Sequence, residues 1–324
     1  MARNWHLKSP SGAEFSPGQV VQHDTVEVWL AQWIVDKAVL RAETGDNAKV
    51  SVDPRSYRIQ CQFVDTDYTP CRLPKLEPAQ WSDPEKGLWE LWGESADFLS
   101  RCAFVARDPS RDLKPRAIAI DFGTSSTVVA VNTERGGREL LRIGVRDFYQ
   151  DPEPLHFENP TVLECLDFAA FHRVWTEQAY RPALDWNWMR AAHEAQASFR
   201  DNPGDTAILA SILPRLKQWA LRSEQRRVRL SDRQGREIEV PAHTERNPVR
   251  GQPLRVGGDD LFDPIELYAW YLGMTINWRG RGLFLKYYLS FPVRYEREVK
   301  ERILASFRRG LQRSLPPTLI DSAP

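Results

Sequence analysis

The chain has 324 residues, of which 42% are hydrophobic and 27% charged, which is the balance of a folded globular protein rather than a disordered one. Its 44 basic and 44 acidic side chains cancel, so the net charge favours neither nucleic acid nor a membrane surface as a partner. No apolar run approaches the roughly 18 residues of a membrane-spanning helix. Four scattered cysteines without a CxxC pair are typical of a cytoplasmic protein with reduced thiols.

The first part of the chain is predicted to be rich in β-structure. Alternation of apolar and polar residues from Tyr57 to Phe63 predicts a strand with one buried face. A boundary is expected at RDPSRDLKP, which is polar and carries two prolines. Residues 1–108 are therefore interpreted as a mainly-β accessory domain and residues 109–116 as a linker. With 14 basic and 17 acidic residues up to Pro115, this region is not a basic nucleic-acid module, and we expect it to bind a protein partner.

After the linker, the sequence AIAIDFGTSSTVVAVN predicts a β-hairpin. Ala117–Asp121 and Thr127–Val131 are the predicted strands, the residues from Gly123 to Ser126 form the turn between them, and Arg138–Val145 supplies a third strand. Residues 147–255 are then predicted to be a mixed insertion. Within it, Asn202–Leu221 has helical apolar spacing, with Pro214 marking a start or a kink, and residues 228–240 favour a hairpin around Gly235.

Two helices and a strand are predicted in the last part of the chain. Leu261–Ile276 begins with Asp263 as the N-cap, Pro264 at the first helical position and Glu266 completing a capping-box-like pair. Phe284–Val293 is predicted to be a strand, and residues 296–315 an amphipathic helix. Three arginines of that helix lie off its apolar stripe and are interpreted as a solvated basic face: Arg308, Arg309 and Arg313. The order of elements predicts an α/β fold with a mixed sheet and helices packed on it.

The turn of the predicted hairpin has the groups that a phosphate and a metal ion require. Gly123 would let a ligand approach the main chain closely, and Thr124 and Ser125 offer hydroxyl donors. Asp121, at the end of a buried strand, could hold Mg²⁺ through water molecules. From these residues alone, an ordinary hairpin with a polar turn is as well supported as a phosphate site.

Two other classes of phosphate-binding protein are excluded. A protein kinase is excluded because no HRD loop or GxGxxG precedes the DFG triplet, and a P-loop is excluded because GxxxxGK[ST] is absent.

The stretch IAIDFGTSSTVVAV resembles the first phosphate motif of the actin, sugar-kinase and heat-shock-chaperone ATPase superfamily. It is most similar to the seventy-kilodalton heat-shock chaperones and their bacterial relatives. Four later segments resemble pieces of the same family in the same order: ENPTVLE, NPGDTAILASILPRLKQWA, LFDPIELYAWYL and YYLSFPVRYEREVKERILASF. The resemblance extends from about Arg116 to Leu315, nearly two thirds of the chain.

The resemblance implies a fold and a set of roles. Residues 117–324 would form lobe I of an actin-like ATPase, a ribonuclease-H-like mixed sheet with the inserted subdomain at about 147–255. Asp121 would organise Mg²⁺, and the β- and γ-phosphates of ATP would be contacted by the turn residues Gly123, Thr124, Ser125 and Ser126. The family's catalytic lysine would correspond to Lys217, whereas an ungapped alignment from Asn202 would place Ser211 at that position.

Three functions follow as alternatives. The family's catalytic glutamate, second phosphate loop and adenosine pocket would lie beyond SLPPTLIDSAP, so we expect these residues to hold half of a nucleotide site. The chain would then be the front of a chaperone-like ATPase that binds Mg-ATP weakly and hydrolyses little. Alternatively, it would be a short relative that keeps the lobe as an inert interaction scaffold. A small-molecule kinase of the same superfamily is the third possibility.

Overall fold

The computed structural model describes residues 2–8, 14–15, 47–52, 55–64, 89, 92, 95–102, 105–133, 136–143, 153–182, 184–185, 187–221, 228–240, 254, 256–257, 262–280, 282–290 and 295–319. The chain divides into two compact units, Met1–Asp112 and Leu113–Pro324. The predicted linker spans this division. A 3₁₀ turn occupies Pro109–Asp112, and the next strand begins at Leu113, so residues 113–116 belong to regular structure.

The described residues of the first unit form an antiparallel sheet and a helix. Its elements are β1 (Ala2–Lys8), β2 (Glu14–Phe15), β3 (Asn47–Val52), β4 (Arg55–Val64) and α1 (Ala96–Cys102). The strand order is β2-β1-β4-β3, with Trp5 opposite Cys61 in the central pair. The predicted strand from Tyr57 to Phe63 is therefore confirmed as part of β4.

The second unit alternates strands and helices. Its strands are β5 (Leu113–Phe122), β6 (Ser126–Asn132), β7 (Arg138–Leu140), β8 (Asn159–Pro160), β9 (Val162–Cys165), β10 (Met189–Ala191), β11 (Ile212–Pro214), β12 (Val228–Ser231), β13 (Glu237–Val240) and β14 (Leu283–Ser290). Its helices are α2 (Phe168–Glu177), α3 (Ala192–Asp201), α4 (Thr206–Ser211), α5 (Leu216–Ala220), α6 (Pro264–Arg279) and α7 (Arg297–Arg313).

The main sheet of this unit is mixed. Its order is β14-β5-β6-β7, with β8 paired to β6; β14 runs parallel to β5, and the other pairs are antiparallel. The predicted hairpin is confirmed, since its two strands lie within β5 and β6. Of the predicted third strand, Arg138–Leu140 is a strand and residues 141–143 are not, while residues 144–145 lie outside the described residues. The strand predicted at Phe284–Val293 is observed up to Ser290, and residues 291–293 also lie outside the described residues. The second unit is therefore an α/β structure with a mixed sheet and helices.

The helices α6 and α7 pack against each other and against one face of the main sheet. Every described residue of α6 from Pro264 to Asn277 is buried, and the Phe122 ring of β5 lies 4.8 Å from the Phe307 ring of α7. At Gly310 a Cβ atom would lie 2.2 Å from the carbonyl oxygen of Glu266, so a side chain there would push the two helices apart. The predicted N-cap is confirmed, because Asp263 accepts hydrogen bonds from the backbone N–H groups of Ile265 and Glu266.

The inserted segment builds a second, smaller sheet. The strands β10, β9 and β11 pair antiparallel in that order, and β12 and β13 form the predicted hairpin. The predicted helical segment Asn202–Leu221 contains α4 and α5, and the chain departs from helix at the predicted position of Pro214. What was not predicted is the strand at residues 212–214, β11, which pairs with β9. Proline at 214 cannot continue a helix, and it disfavours the α conformation at Leu213, so pairing with a buried strand replaces helical hydrogen bonds.

The prediction of a solvated basic face on the last helix is wrong for two of its three arginines. Arg308 is exposed, but Arg313 is 1% exposed and Arg309 12%, and both form ion pairs with the buried Glu266 of α6. The Arg313 guanidinium also donates to the carbonyl oxygens of Trp175, Gln178 and Ala179 at the end of α2. A helix leaves its last carbonyl groups without internal partners, so Arg313 caps α2 and ties it to α7.

Candidate functional site

The turn between β5 and β6 is tight and presents backbone donors. A Cβ atom at Gly123 would lie 2.2 Å from the carbonyl oxygen of Ser126, so a larger residue cannot adopt this turn. No described residue accepts a hydrogen bond from the backbone N–H of Gly123, Thr124 or Ser125. The side chain of Ser125 is exposed, and those of Thr124 and Ser126 are half-buried. The turn thus offers both N–H and hydroxyl donors to an anion.

Asp121 lies at the edge of the sheet where two parallel strands end. In the register of β14 with β5, Ser290 is paired with Asp121, and its Oγ donates to Asp121 Oδ1 at 2.5 Å. Both side chains are exposed. The carboxyl ends of neighbouring parallel strands form the edge at which open α/β sheets bind ligands. The sequence did not point to Ser290, because it lies 169 residues from Asp121.

Lys217 reaches the same hairpin from α5. Its side chain is 3% exposed, and its Nζ donates to the carbonyl oxygen of Phe122, the last residue of β5. The Nζ also lies 5.3 Å from the centroid of the Tyr295 ring and 5.6 Å from that of Phe122. Burial lowers the pKa of the Lys217 ammonium, and the nearby Asp121 carboxylate opposes this effect. A buried cation therefore lies beside the turn.

The alternative residue, Ser211, belongs to a different cluster. Its hydroxyl donates to the carbonyl oxygen of Ile208 and accepts from Arg233 Nε. Arg233 in turn forms a 2.6 Å ion pair with the buried Glu164 of β9, and Arg190 lies 3.6 Å from the same carboxylate. Of the two residues considered for the position of the catalytic lysine, Lys217 contacts the hairpin and Ser211 does not.

A buried network of side chains holds the turn from below. The Thr161 hydroxyl donates to the carbonyl oxygen of Gly123 at 3.2 Å, while its backbone N–H donates to that of Ser125 at 3.0 Å. Thr161 also contacts the Thr127 hydroxyl at 3.1 Å, and Tyr268 donates to the carbonyl oxygen of Pro160. Sequence reasoning did not single out these residues, although Thr161 lies within ENPTVLE, one of the segments on which the resemblance rests.

The donor set suits a hard cation that keeps part of its water. Asp121 and the hydroxyl groups of the turn supply only oxygen atoms, which Mg²⁺ prefers. In the described part of the chain, no group of three or more His, Cys, Asp or Glu residues could enclose a metal ion. One carboxylate with water molecules is a coordination that Mg²⁺ commonly adopts beside phosphates. The residues present therefore fit a magnesium–phosphate ligand.

No protein-family model matches the chain, and no curated protein matches it significantly. None of the helices among the described residues combines the length and apolar composition that a membrane crossing needs. The interpretation of the site therefore rests on its geometry and on the sequence resemblance described above.

Proposed function

We propose that the second unit is lobe I of an actin-like, ribonuclease-H-like ATPase of the heat-shock-chaperone type, and that it binds the phosphates of Mg-ATP at the β5–β6 turn. The observation that carries the proposal is the position of Lys217, a buried cation whose Nζ donates to the carbonyl oxygen of Phe122, the residue before Gly123, and whose charge the Asp121 carboxylate favours. A cation, a carboxylate and free N–H donors around one glycine turn are the components of a phosphate site. A cytoplasmic location and a protein partner for the first unit belong to the same proposal.

Electrostatics supports an anion at this position. No carboxylate of a described residue forms an ion pair with Lys217, and within the described part of the chain its ammonium group donates to an uncharged carbonyl oxygen, that of Phe122. Burying a cation without a counter-charge costs free energy, and an anion placed next to it recovers part of that cost. A phosphate at the turn would bring negative charge close to the ammonium group, where the low dielectric strengthens the attraction.

Each residue then has a defined part. Asp121 would hold a hydrated Mg²⁺, which when bound neutralises charge on the phosphate oxygens. The turn residues Gly123, Thr124, Ser125 and Ser126 would donate hydrogen bonds to those oxygens. Lys217 would stabilise negative charge on the terminal phosphoryl group from the buried side of the turn. The Thr161 network would keep the turn in the donating conformation.

Calorimetric titration of Mg-ATP into the full chain tests this proposal. Asp121→Asn should weaken Mg-ATP binding about tenfold or more, because it removes the negative charge of the carboxylate that attracts the Mg²⁺ ion. Since Asp121 is exposed, the unfolding midpoint should stay at the wild-type value. The matched control is Asp201→Asn, which removes an exposed carboxylate whose ion-pair partner within the described part of the chain is the exposed Arg200. Equal affinity of Asp121→Asn and wild type would reject the site assignment.

A catalytically inert interaction protein is the second candidate. The observation in its favour is that Lys217 Nζ already donates to Phe122 and is flanked by two rings, an arrangement that fixes the hairpin without a ligand. In that case the wild-type chain would give no magnesium-dependent heat with ATP. The same calorimetric experiment therefore separates the two functions.

A further inference from the structure

Ser290 has a position that sequence reasoning did not anticipate. It is the last residue of β14, and the parallel register places it directly beside Asp121 at the edge of the sheet. Its hydroxyl donates to Asp121 Oδ1 at 2.5 Å, the separation of a strong O–H···O⁻ hydrogen bond. One oxygen of the carboxylate is therefore held by the neighbouring strand.

A single hydroxyl can fix the orientation of this carboxylate. An exposed aspartate side chain ordinarily samples several staggered rotamers, and ordering it on binding costs free energy. An ionised carboxylate has about four acceptor positions, so the bond from Ser290 leaves the others available. The carboxylate is thus ordered before a ligand arrives, and it still has acceptor positions for metal-bound water.

We infer that Ser290 is the positioning residue of the metal-binding carboxylate: it holds Asp121 in the conformation that receives hydrated Mg²⁺. This inference rests on the proposed function for the identity of the cation. Ser290 acts through Asp121 and not on the phosphate. Removal of its hydroxyl should therefore change the magnesium dependence of binding, and it should leave metal-free binding unchanged.

The first experiment measures the Asp121 side chain itself and needs no nucleotide. Three-bond couplings from Asp121 ¹³Cγ to the backbone report its χ1 rotamer in the full chain. Wild type should show one rotamer, and Ser290→Ala should show averaging over several, because the fixing bond is gone. Ser290→Thr keeps a hydroxyl and should restore the single rotamer. Averaged couplings in wild type, or unchanged couplings in Ser290→Ala, would overturn the inference.

The second experiment measures ATP binding as a function of the Mg²⁺ concentration. Ser290→Ala should raise the Mg²⁺ concentration at half-saturation about three- to tenfold, the range expected for ordering one side chain. Binding in EDTA should be unchanged. An equal loss with and without Mg²⁺ would contradict the inference, because Ser290 would then contact the phosphate directly.

A matched control separates this role from general damage. Thr133→Ala removes another exposed hydroxyl, which accepts from the Gly137 backbone N–H at 3.0 Å at the opposite end of β6. Neither variant should move the unfolding midpoint, and only Ser290→Ala should move the magnesium dependence. If wild type shows no magnesium-dependent ATP binding, the proposed function fails, while the rotamer couplings still decide whether Ser290 positions Asp121.

Discussion

Arg313 and Lys217 are both buried basic side chains of the second unit, but their surroundings offer them very different numbers of partners. Arg313 donates to three carbonyl oxygens, forms an ion pair with Glu266 and stacks 3.5 Å from the Trp175 ring. Lys217 has one carbonyl oxygen and two aromatic rings, and no described carboxylate pairs with it. A fully partnered buried cation stabilises the fold, whereas a sparsely partnered one retains attraction for an incoming anion.

The largest effect is expected from removing Arg313. Arg313→Met leaves three carbonyl groups at the end of α2 without their donor and takes one cation from Glu266, so it should lower the free energy of unfolding by about 3–5 kcal/mol. Urea denaturation measures the change. Arg308→Met, on the exposed face of the same helix, should stay within about 0.5 kcal/mol of wild type. Similar losses in both variants would show that the buried network contributes nothing specific.

Replacing Lys217 should change the affinity for Mg-ATP more than the stability of the fold. Lys217→Met removes a cation that is costly to bury but also leaves the Phe122 carbonyl oxygen without a donor, so the free energy of unfolding should stay within about 1 kcal/mol of wild type. The affinity for Mg-ATP should fall roughly ten- to hundredfold, because a charged partner of the phosphate is lost. Denaturation and calorimetry on the same sample measure both quantities. A stability loss as large as that of Arg313→Met would make Lys217 a structural residue.

The smallest expected effect is a difference in pH dependence. Burial lowers the pKa of Lys217, so between that lowered pKa and the ordinary value of about 10.4 the unfolded chain holds more protons than the folded chain. The free energy of unfolding should therefore rise with pH through this window, with a slope below about 1.4 kcal/mol per pH unit. Below the window both states hold the proton, and the full cost of burying the charge remains.

Subtracting the Lys217→Met profile from that of wild type isolates this slope, since the other titrating groups are common to both proteins. Arg313→Met offers the contrast, because a guanidinium stays charged throughout this pH range. Its profile should run parallel to that of wild type. A flat difference profile for Lys217→Met would show that its ammonium is not destabilised by burial.

Local patterns in the sequence predicted the strands and helices of the second unit better than they predicted which elements and side chains contact one another. The hairpin around Gly123 follows from a period-two pattern, α7 from an amphipathic helical pattern and α6 from its capping residues, and the structure contains all three. Pro214 was predicted to start or kink a helix, but the strand at residues 212–214 was not predicted, because its pairing with β9 is a contact between distant segments. The burial of Arg309 and Arg313 was missed because periodicity assigns a polar residue to solvent, and it does not show the carboxylate that faces it.

In the candidate site too, residues close in sequence were predicted and contacts between distant residues were not. The residues of the turn and Asp121 are adjacent in sequence, so their chemistry could be recognised there. Lys217 was named as a site residue only because of the family resemblance, and its contact with Phe122 was not predicted. The contact between Ser290 and Asp121 was not predicted either. Both contacts depend on how separate elements pack, which a single sequence does not specify.

The long-range contacts of the turn also determine when it can form during synthesis. Thr161 lies 38 residues after the carbonyl group it holds, Lys217 lies 95 residues after its acceptor, and Ser290 lies 169 residues after Asp121. Contacts between distant parts of a chain form late, because a long loop must close before they can be made. A nascent chain on the ribosome would therefore carry the glycine turn long before the contacts from Lys217 and Ser290 could form. Under the proposed function, binding at the turn would begin only when β14 had emerged and joined the sheet.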